Sequence, residues 1–295
     1  MRNFLEYIPF VLIAAMVRAL PRGRALTFGK HFGRLLLPLL TKRVAIAREN
    51  LSKAFPNLST QTIQDSLRDM YEHLGICAIE MLRLDKFTGL KDLNRFFNIS
   101  GEDNIQEALK LGRGCIILTG HVGFWEAGTF FLPLLGFKTA VVAKPMRNPL
   151  VDNYIRKMRQ NSGTVIINSH KGARAIMSAL RENHLVCILL DQHLKGKGSV
   201  VASFFGRPAH TTTIITRMAL RDQTPIIKAF TYRNPDNTYQ CHFEKMFLLE
   251  GPSDEENVIN QTNLLNQHIE SGIRKHISQW FWIHRRWRKC CENQD

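Results

Sequence analysis

The chain has 295 residues, 44% of them hydrophobic and 22% charged, and carries 40 Lys plus Arg against 25 Asp plus Glu, a formal net charge of +15. This composition excludes a disordered chain, and the length suffices for one full α/β core. So large a positive surplus implies an anionic partner, whether nucleic acid, an anionic membrane or an acidic carrier protein, and charge alone does not choose among them.

Residues 4–20, FLEYIPFVLIAAMVRAL, are mostly apolar but hold Glu6, Pro9 and Arg18. The uninterrupted part from Tyr7 to Val17 is ~11 residues, short of the ~20 that span a bilayer. No small-x-small cleavage site follows, so the segment reads as retained. Arg22, Arg24, Lys30 and Arg34 come next, then an apolar run over 35–40, then Lys42 and Arg43. Apolar stretches alternating with basic clusters suit a segment lying in the interface of an anionic membrane, and a pair of buried core helices is the other reading. If the first segment spans, the basic residues after it place the body on the cytoplasmic side. Residues 1–45 are therefore expected to form a hydrophobic, basic, membrane-associated segment, and 46–295 a single α/β domain.

The first hundred residues read as helix. After Pro56, Ser59 or Thr60 can cap a long helix with Ile63, Leu67, Met70, Leu74, Cys77 and Met81 on one stripe. From residue 100 short apolar strands alternate with helices. Strands are predicted at 114–119, 139–143, 164–167, 185–190, 200–205, 225–232 and 239–247. Helices are predicted at 125–134, 150–160, 172–182, 212–221 and 254–275. The pattern argues for an α/β fold with a mixed, largely parallel sheet flanked by helices. Ligands then belong beyond the carboxyl ends of strands, at 120–126, 143–149 and 191–198. Of the six cysteines, Cys115 and Cys187 lie in strand-like runs and Cys290-Cys291 is a vicinal pair. No C-x-x-C occurs, and the thiols read as reduced.

Three stretches carry chemistry. Gly120-His121-Val122-Gly123-Phe124-Trp125-Glu126 follows the best strand, an H-x4-E motif. A carboxylate there can fix one imidazole tautomer while the other ring nitrogen takes a proton from a hydroxyl. No nucleophile elbow accompanies it, so direct attack by a bound alcohol is favoured over a covalent acyl-enzyme. His121 and Glu126 are the expected catalytic pair, with the oxyanion held by backbone amides near Gly120 and Gly123 or by an arginine. Lys144, Arg147 and Asn148 form a turn opening a helix, with Arg156 two turns on, and suit phosphate. A solvated basic loop is the alternative there. Asp191, Gln192 and His193 end an apolar strand, and Phe204-Phe205-Gly206-Arg207-Pro208 makes a turn beyond it. The terminal aromatics, with Arg285, Arg286, Arg288 and Lys289, read as core or as an interfacial belt. No H-E-x-x-H occurs, so no metal is expected.

These motifs, with Glu49-Asn50-Leu51 and Phe55-Pro56 before them and Trp282-Ile283-His284-Arg285-Arg286-Trp287 after, follow one another in a specific order. In that order the chain resembles the lipid A biosynthesis late acyltransferases, the lauroyl/myristoyl type, within the lysophospholipid acyltransferase superfamily. The resemblance spans nearly the whole chain. It implies a glycerol-3-phosphate acyltransferase-like αβ sandwich and an enzyme at the cytoplasmic face of the inner membrane. It further implies transfer of an acyl chain from acyl carrier protein to a lipid A precursor or related glycolipid, with no cofactor. The family's catalytic pair falls on His121 and Glu126; Arg147 falls where phosphate or acceptor is met, and Asp191 near the site. Phe124 stands where Asn is usual and His193 where an acidic residue is usual, which bears on the acceptor. An acyltransferase for another phospho- or glycolipid, and a membrane-bound acyl hydrolase using the same dyad, remain as alternatives. A nucleic-acid binder is disfavoured, because aromatics and arginines sit at the termini beside apolar runs.

Overall fold

The computed structural model describes residues 2–87, 89–169, 172–288 and 290. Lys289 and Cys291 of the sequence reading lie outside them. In chain order the elements begin with four helices, α1 (Arg2–Ala19), α2 (Arg22–Leu39), α3 (Thr41–Ala54) and α4 (Thr60–Met81). Then come α5 (Leu90–Phe96), β1 (Phe97–Ser100), α6 (Glu102–Leu109), β2 (Cys115–Thr119), α7 (Gly128–Leu134) and β3 (Thr139–Ala143). After these follow α8 (Pro149–Gln160), β4 (Val165–Asn168), α9 (Gly172–Arg181), β5 (Leu185–Leu189), β6 (Ser199–Phe204) and β7 (Arg207–Thr212). The last elements are α10 (Ile214–Asp222), β8 (Ile226–Lys228), β9 (Thr231–Arg233), β10 (Tyr239–His242) and α11 (Glu255–Lys275).

Five strands make the central sheet, in the order β4-β3-β5-β2-β8, and every pairing in it is parallel. Such a sheet must be covered on both faces, and its strands are accordingly near-continuous apolar runs. Ile116, Leu118, Val186 and Ile188 pack to one side with residues of α9, α10 and α11. Cys115, Ile117, Leu185 and Cys187 pack to the other with Phe130, Phe131 and Leu132 of α7. Alternation along the strand sets this division.

Three predicted strands part, wholly or in part, from the central sheet. Residues 225–232 divide: β8 stays on β2, and the chain then crosses to β9 in a second sheet of order β1-β10-β9. Only the first part of 239–247 is regular, as β10. The predicted strand near 200 lies outside both sheets and forms the β6–β7 hairpin, closed by Phe205 at φ 52° and Gly206 at φ 69°. β1 falls inside the stretch read as wholly helical; it pairs in parallel with β10, more than a hundred residues later.

The long predicted helix is α4, capped by Ser59, whose Oγ accepts from the Thr62 amide at 3.1 Å. α2 lies unusually close to it. A Cβ added at Gly33 would stand 2.0 Å from the Tyr71 carbonyl oxygen, and one at Gly75 2.1 Å from that of Gly29. Gly33→Val is therefore expected to force α2 off α4 and cost at least about 1–3 kcal/mol, read as a lowered Tm and earlier proteolysis near α2. α1 buries only Ala14 and Val17. Arg83 ties its end to the body by donating to the carbonyls of Val17 and Leu20, and Arg18 pairs with Asp85. Phe4, Leu5, Ile8, Leu12, Ile13 and Met16 of α1 face outward, as do Phe32, Leu35 and Leu39 of α2. Among the described residues no helix is long and apolar enough to cross a membrane.

Candidate active site

β2 and β5 are neighbours in register, with Thr119 opposite Leu189. Two residues past those strand ends stand His121 and Asp191, and the register carries them together. His121 Nδ1 lies 2.9 Å from Asp191 Oδ1, and the His121 backbone N–H donates to Oδ2 at 2.9 Å. The Trp280 indole N–H donates to the same Oδ2 at 2.6 Å. Burial pushes the Asp191 carboxyl pKa up, but the His121 imidazole and these N–H donors outweigh it and hold the group at about 2. An ionised carboxylate only accepts, so Nδ1 carries a proton toward it, and in the neutral ring the lone pair is on Nε2. The Gln192 side-chain amide stands 3.1 Å from Nε2.

The carboxylate expected beside His121 was that of Glu126, and the structure gives the place to Asp191. After Gly123 (φ 62°) the chain turns through a single 3-10 turn, Trp125–Ala127, which carries Glu126 to another wall. There Arg159 of α8 grips both its oxygens, Nε to Oε2 at 2.8 Å and a terminal nitrogen to Oε1 at 2.6 Å. Gly123 itself is required: a Cβ would stand 2.0 Å from the Thr231 carbonyl oxygen. The oxyanion was expected on amides near Gly120–Gly123 or on an arginine, and the amides that follow Gly120 are already engaged. The amide of His121 is on Asp191, that of Val122 on the Gly120 carbonyl, that of Gly123 on Gln279, and that of Phe124 on Thr231.

A polarised imidazole beside an arginine–carboxylate pair suits acyl transfer in general, and comparison with known proteins narrows it. The family model for bacterial lipid A biosynthesis acyltransferase matches residues 2–289. The chain belongs to that family, and it is an acyltransferase. The Escherichia coli K12 lipid A biosynthesis palmitoleoyltransferase is 27% identical over 262 residues, covering 88% of this chain and 83% of that protein. The lauroyltransferase of the same strain is 24% identical over 277 residues, covering 92% and 88%. A phosphatidylinositol mannoside acyltransferase of Mycobacterium tuberculosis H37Rv is 23% identical over 194 residues, covering 64% and 59%. The crystal structure of the 1-acyl-sn-glycerophosphate acyltransferase PlsC from Thermotoga maritima aligns at a TM-score of 0.39 and 15% identity, covering 86% of this chain and 97% of that one.

In this acyltransferase a cavity of about 700 Å³ opens at the carboxyl ends of the central strands. His121, Glu126, Lys144, Arg159, Gln192 and His193 all line it. His284 joins them from the terminal segment; burial lowers its pKa to about 4 against the opposing pull of Asp191, so its ring is neutral. Gly120 backs the site, with room for a Cβ only 3.2 Å from Asp191 Cγ. The remaining expected contacts lie elsewhere. Asn148 caps α8 through the Leu150 amide and donates to the Asn3 carbonyl and to Glu6, so it joins α8 to α1. Arg147 is exposed outside the cavity wall; Arg156 reaches Asn153; Arg207 lies over the Trp287 ring.

Arg159, Trp280 and His284 were not singled out for the site. Arg159 had a signal: it stands four residues after buried Ile155, on the inward face of an amphipathic helix, whereas Arg156 and Lys157 point away.

Proposed function

We propose that this acyltransferase moves a fatty acyl chain from an acyl carrier protein thioester to a hydroxyl of a lipid A precursor or related glycolipid. The observation that carries the reading is the His121 imidazole, held through Nδ1 by the buried Asp191 carboxylate, in the lining of a cavity with an apolar arm. His121 Nε2 takes the proton of the acceptor hydroxyl, displacing the Gln192 amide. The oxygen attacks the thioester carbonyl, and the resulting oxyanion is met by the Arg159 guanidinium, which Glu126 holds in place. The tetrahedral centre collapses, the carbon–sulfur bond breaks, and the departing carrier thiolate receives the proton from His121. The family name and those of the relatives support the lipid A or glycolipid acceptor. Lys144, in the cavity lining, suits its phosphates and the acidic carrier.

The apolar arm of the cavity is read as the acyl site. Ile117, Cys187 and Val141, in register across three strands, line it with Phe131, Cys241 and Phe243. Cys115 and Leu185, one pleat further down, are fully buried and outside its lining. Filling the arm shortens the chain it takes. Cys241→Phe is expected to move the preference toward shorter acyl donors, each methylene left outside losing ~0.8 kcal/mol, about fourfold in kcat/KM. Competition between acyl carrier proteins of different chain length reads this out.

The outward apolar faces of α1 and α2, flanked by Arg24, Lys30, Arg34 and Lys42, suit a helix pair resting in an anionic leaflet at the cytoplasmic face of the inner membrane. Labelled acyl carrier protein incubated with and without the glycolipid tests the reaction. Transfer of label to the lipid only when acceptor is present supports it. Release of free acid regardless of acceptor would instead mark a hydrolase.

A further inference from the structure

The segment 280–288 builds one wall of the site; after a single antiparallel bridge from Trp280 to Val122 it runs on as turns, with no helix or strand. From it Trp280 donates to Asp191, the Phe281 amide donates to the His121 carbonyl at 3.1 Å, and His284 faces the cavity. A segment of this kind must find partners for its carbonyls elsewhere. The carbonyls of Trp280, Phe281 and Arg285 accept from amides within the segment, and those of Trp282, Ile283 and His284 turn to α3, His284 also accepting from the Arg286 amide at 2.9 Å. Asn50, only 7% exposed, donates both N–H groups of its side-chain amide, to the Trp282 carbonyl at 2.8 Å and to the His284 carbonyl at 2.7 Å. Arg43, seven residues earlier and so on the same helix face, reaches the Ile283 carbonyl between them at 3.4 Å. The Phe55 ring packs edge-on to Trp282 at 6.0 Å from the end of the same helix. Glu49-Asn50-Leu51 and the terminal Trp-Ile-His-Arg-Arg stretch, more than two hundred residues apart in sequence, thus form one clasp.

We infer that Asn50 is a positioning residue for acyl transfer: by gripping two carbonyls of the terminal segment it fixes the Trp280 indole that orients Asp191 against His121. The inference rests on the acyltransferase reading for its kinetic consequence alone. Asn50 touches neither the cavity nor the reacting groups. Its loss leaves the buried Trp282 carbonyl without its side-chain donor and the His284 carbonyl with the Arg286 amide alone, and the segment must shift to rehydrate them. That shift moves the indole, the carboxylate turns, and the imidazole leaves its attacking angle.

The test uses the full-length protein with 15N-labelled tryptophan. Its four tryptophans give four indole resonances, that of Trp280 assigned by its disappearance in Trp280→Phe. A short bond to a carboxylate places that N–H far downfield. Asn50→Asp keeps the size but turns the donors into acceptors. It is expected to lower kcat by about 10- to 100-fold, to leave KM for the acceptor within about twofold, and to move the Trp280 resonance upfield. Asn50→Gln, which keeps the donor pair on a longer arm, is expected to recover part of both effects. A folded Asn50→Asp with undiminished kcat, or with the Trp280 resonance unmoved, overturns the inference. Should that variant fail to fold, Asn50→Ser, which removes the amide without adding charge, decides on the same two readouts. A wild-type protein that transfers no acyl group would strike the reading of function, while the resonance would still decide the role of Asn50.

Discussion

Asp191→Asn is expected to lower acyl transfer by about 10²- to 10⁴-fold, as much as His121→Ala, with little change in acceptor KM. The two positions form one device. An asparagine presents an N–H or a weak neutral acceptor to Nδ1, the imidazole proton moves to Nε2, and the lone pair that takes the acceptor proton is lost. The Trp280 indole and the His121 amide, both 2.9 Å or closer to the carboxylate, lose their charged acceptor at the same time. Because the Asp191 pKa lies near 2 against an ordinary 3.8, its contribution to folding is complete above pH 4 and fades as pH falls toward 2. Activity lost on mild acidification therefore belongs to another group. Steady-state rates with a fixed acyl donor, checked against the Tm of each variant, measure the effect.

The second large effect is expected at the arginine on the facing wall. Arg159→Met should lower kcat by about 10²- to 10³-fold, the loss expected when a donor to a developing oxyanion is removed. Glu126→Gln should follow it, because the neutral amide no longer holds the guanidinium by two charged contacts. The double variant is expected to be no worse than Arg159→Met alone, since one group acts through the other. A glutamate working directly on His121 would give the opposite pattern, with the two losses accumulating.

This distinction marks where sequence reasoning stopped. Strands 115–119, 139–143 and 185–189 were legible because a parallel sheet covered on both faces demands unbroken apolar runs, and those runs end in polar residues at the ligand edge. The same reading drew attention to both His121 and Asp191. It joined His121 to Glu126 because only four residues separate them in sequence, whereas the parallel register joins positions at equal distance from two strand ends. The turn at Gly123, imposed by the Thr231 carbonyl, is a tertiary fact that a motif does not carry. β1 was illegible for a related reason: four half-polar residues take their strand character from a partner 142 positions later, as Ser100 pairs with His242. In the N-terminal helices the apolar pattern was plain, but the close seat of α2 on α4 came from Gly29, Gly33 and Gly75, which pattern counting passes over.

The pairing of His121 with Asp191 is tested most directly by 15N NMR of the histidine-labelled full-length protein, the His121 signals being assigned by their loss in His121→Gln. The expected result is a downfield Nδ1 proton at neutral pH that persists in Glu126→Gln and vanishes in Asp191→Asn. A proton that survives in Asp191→Asn and is lost in Glu126→Gln would contradict the account.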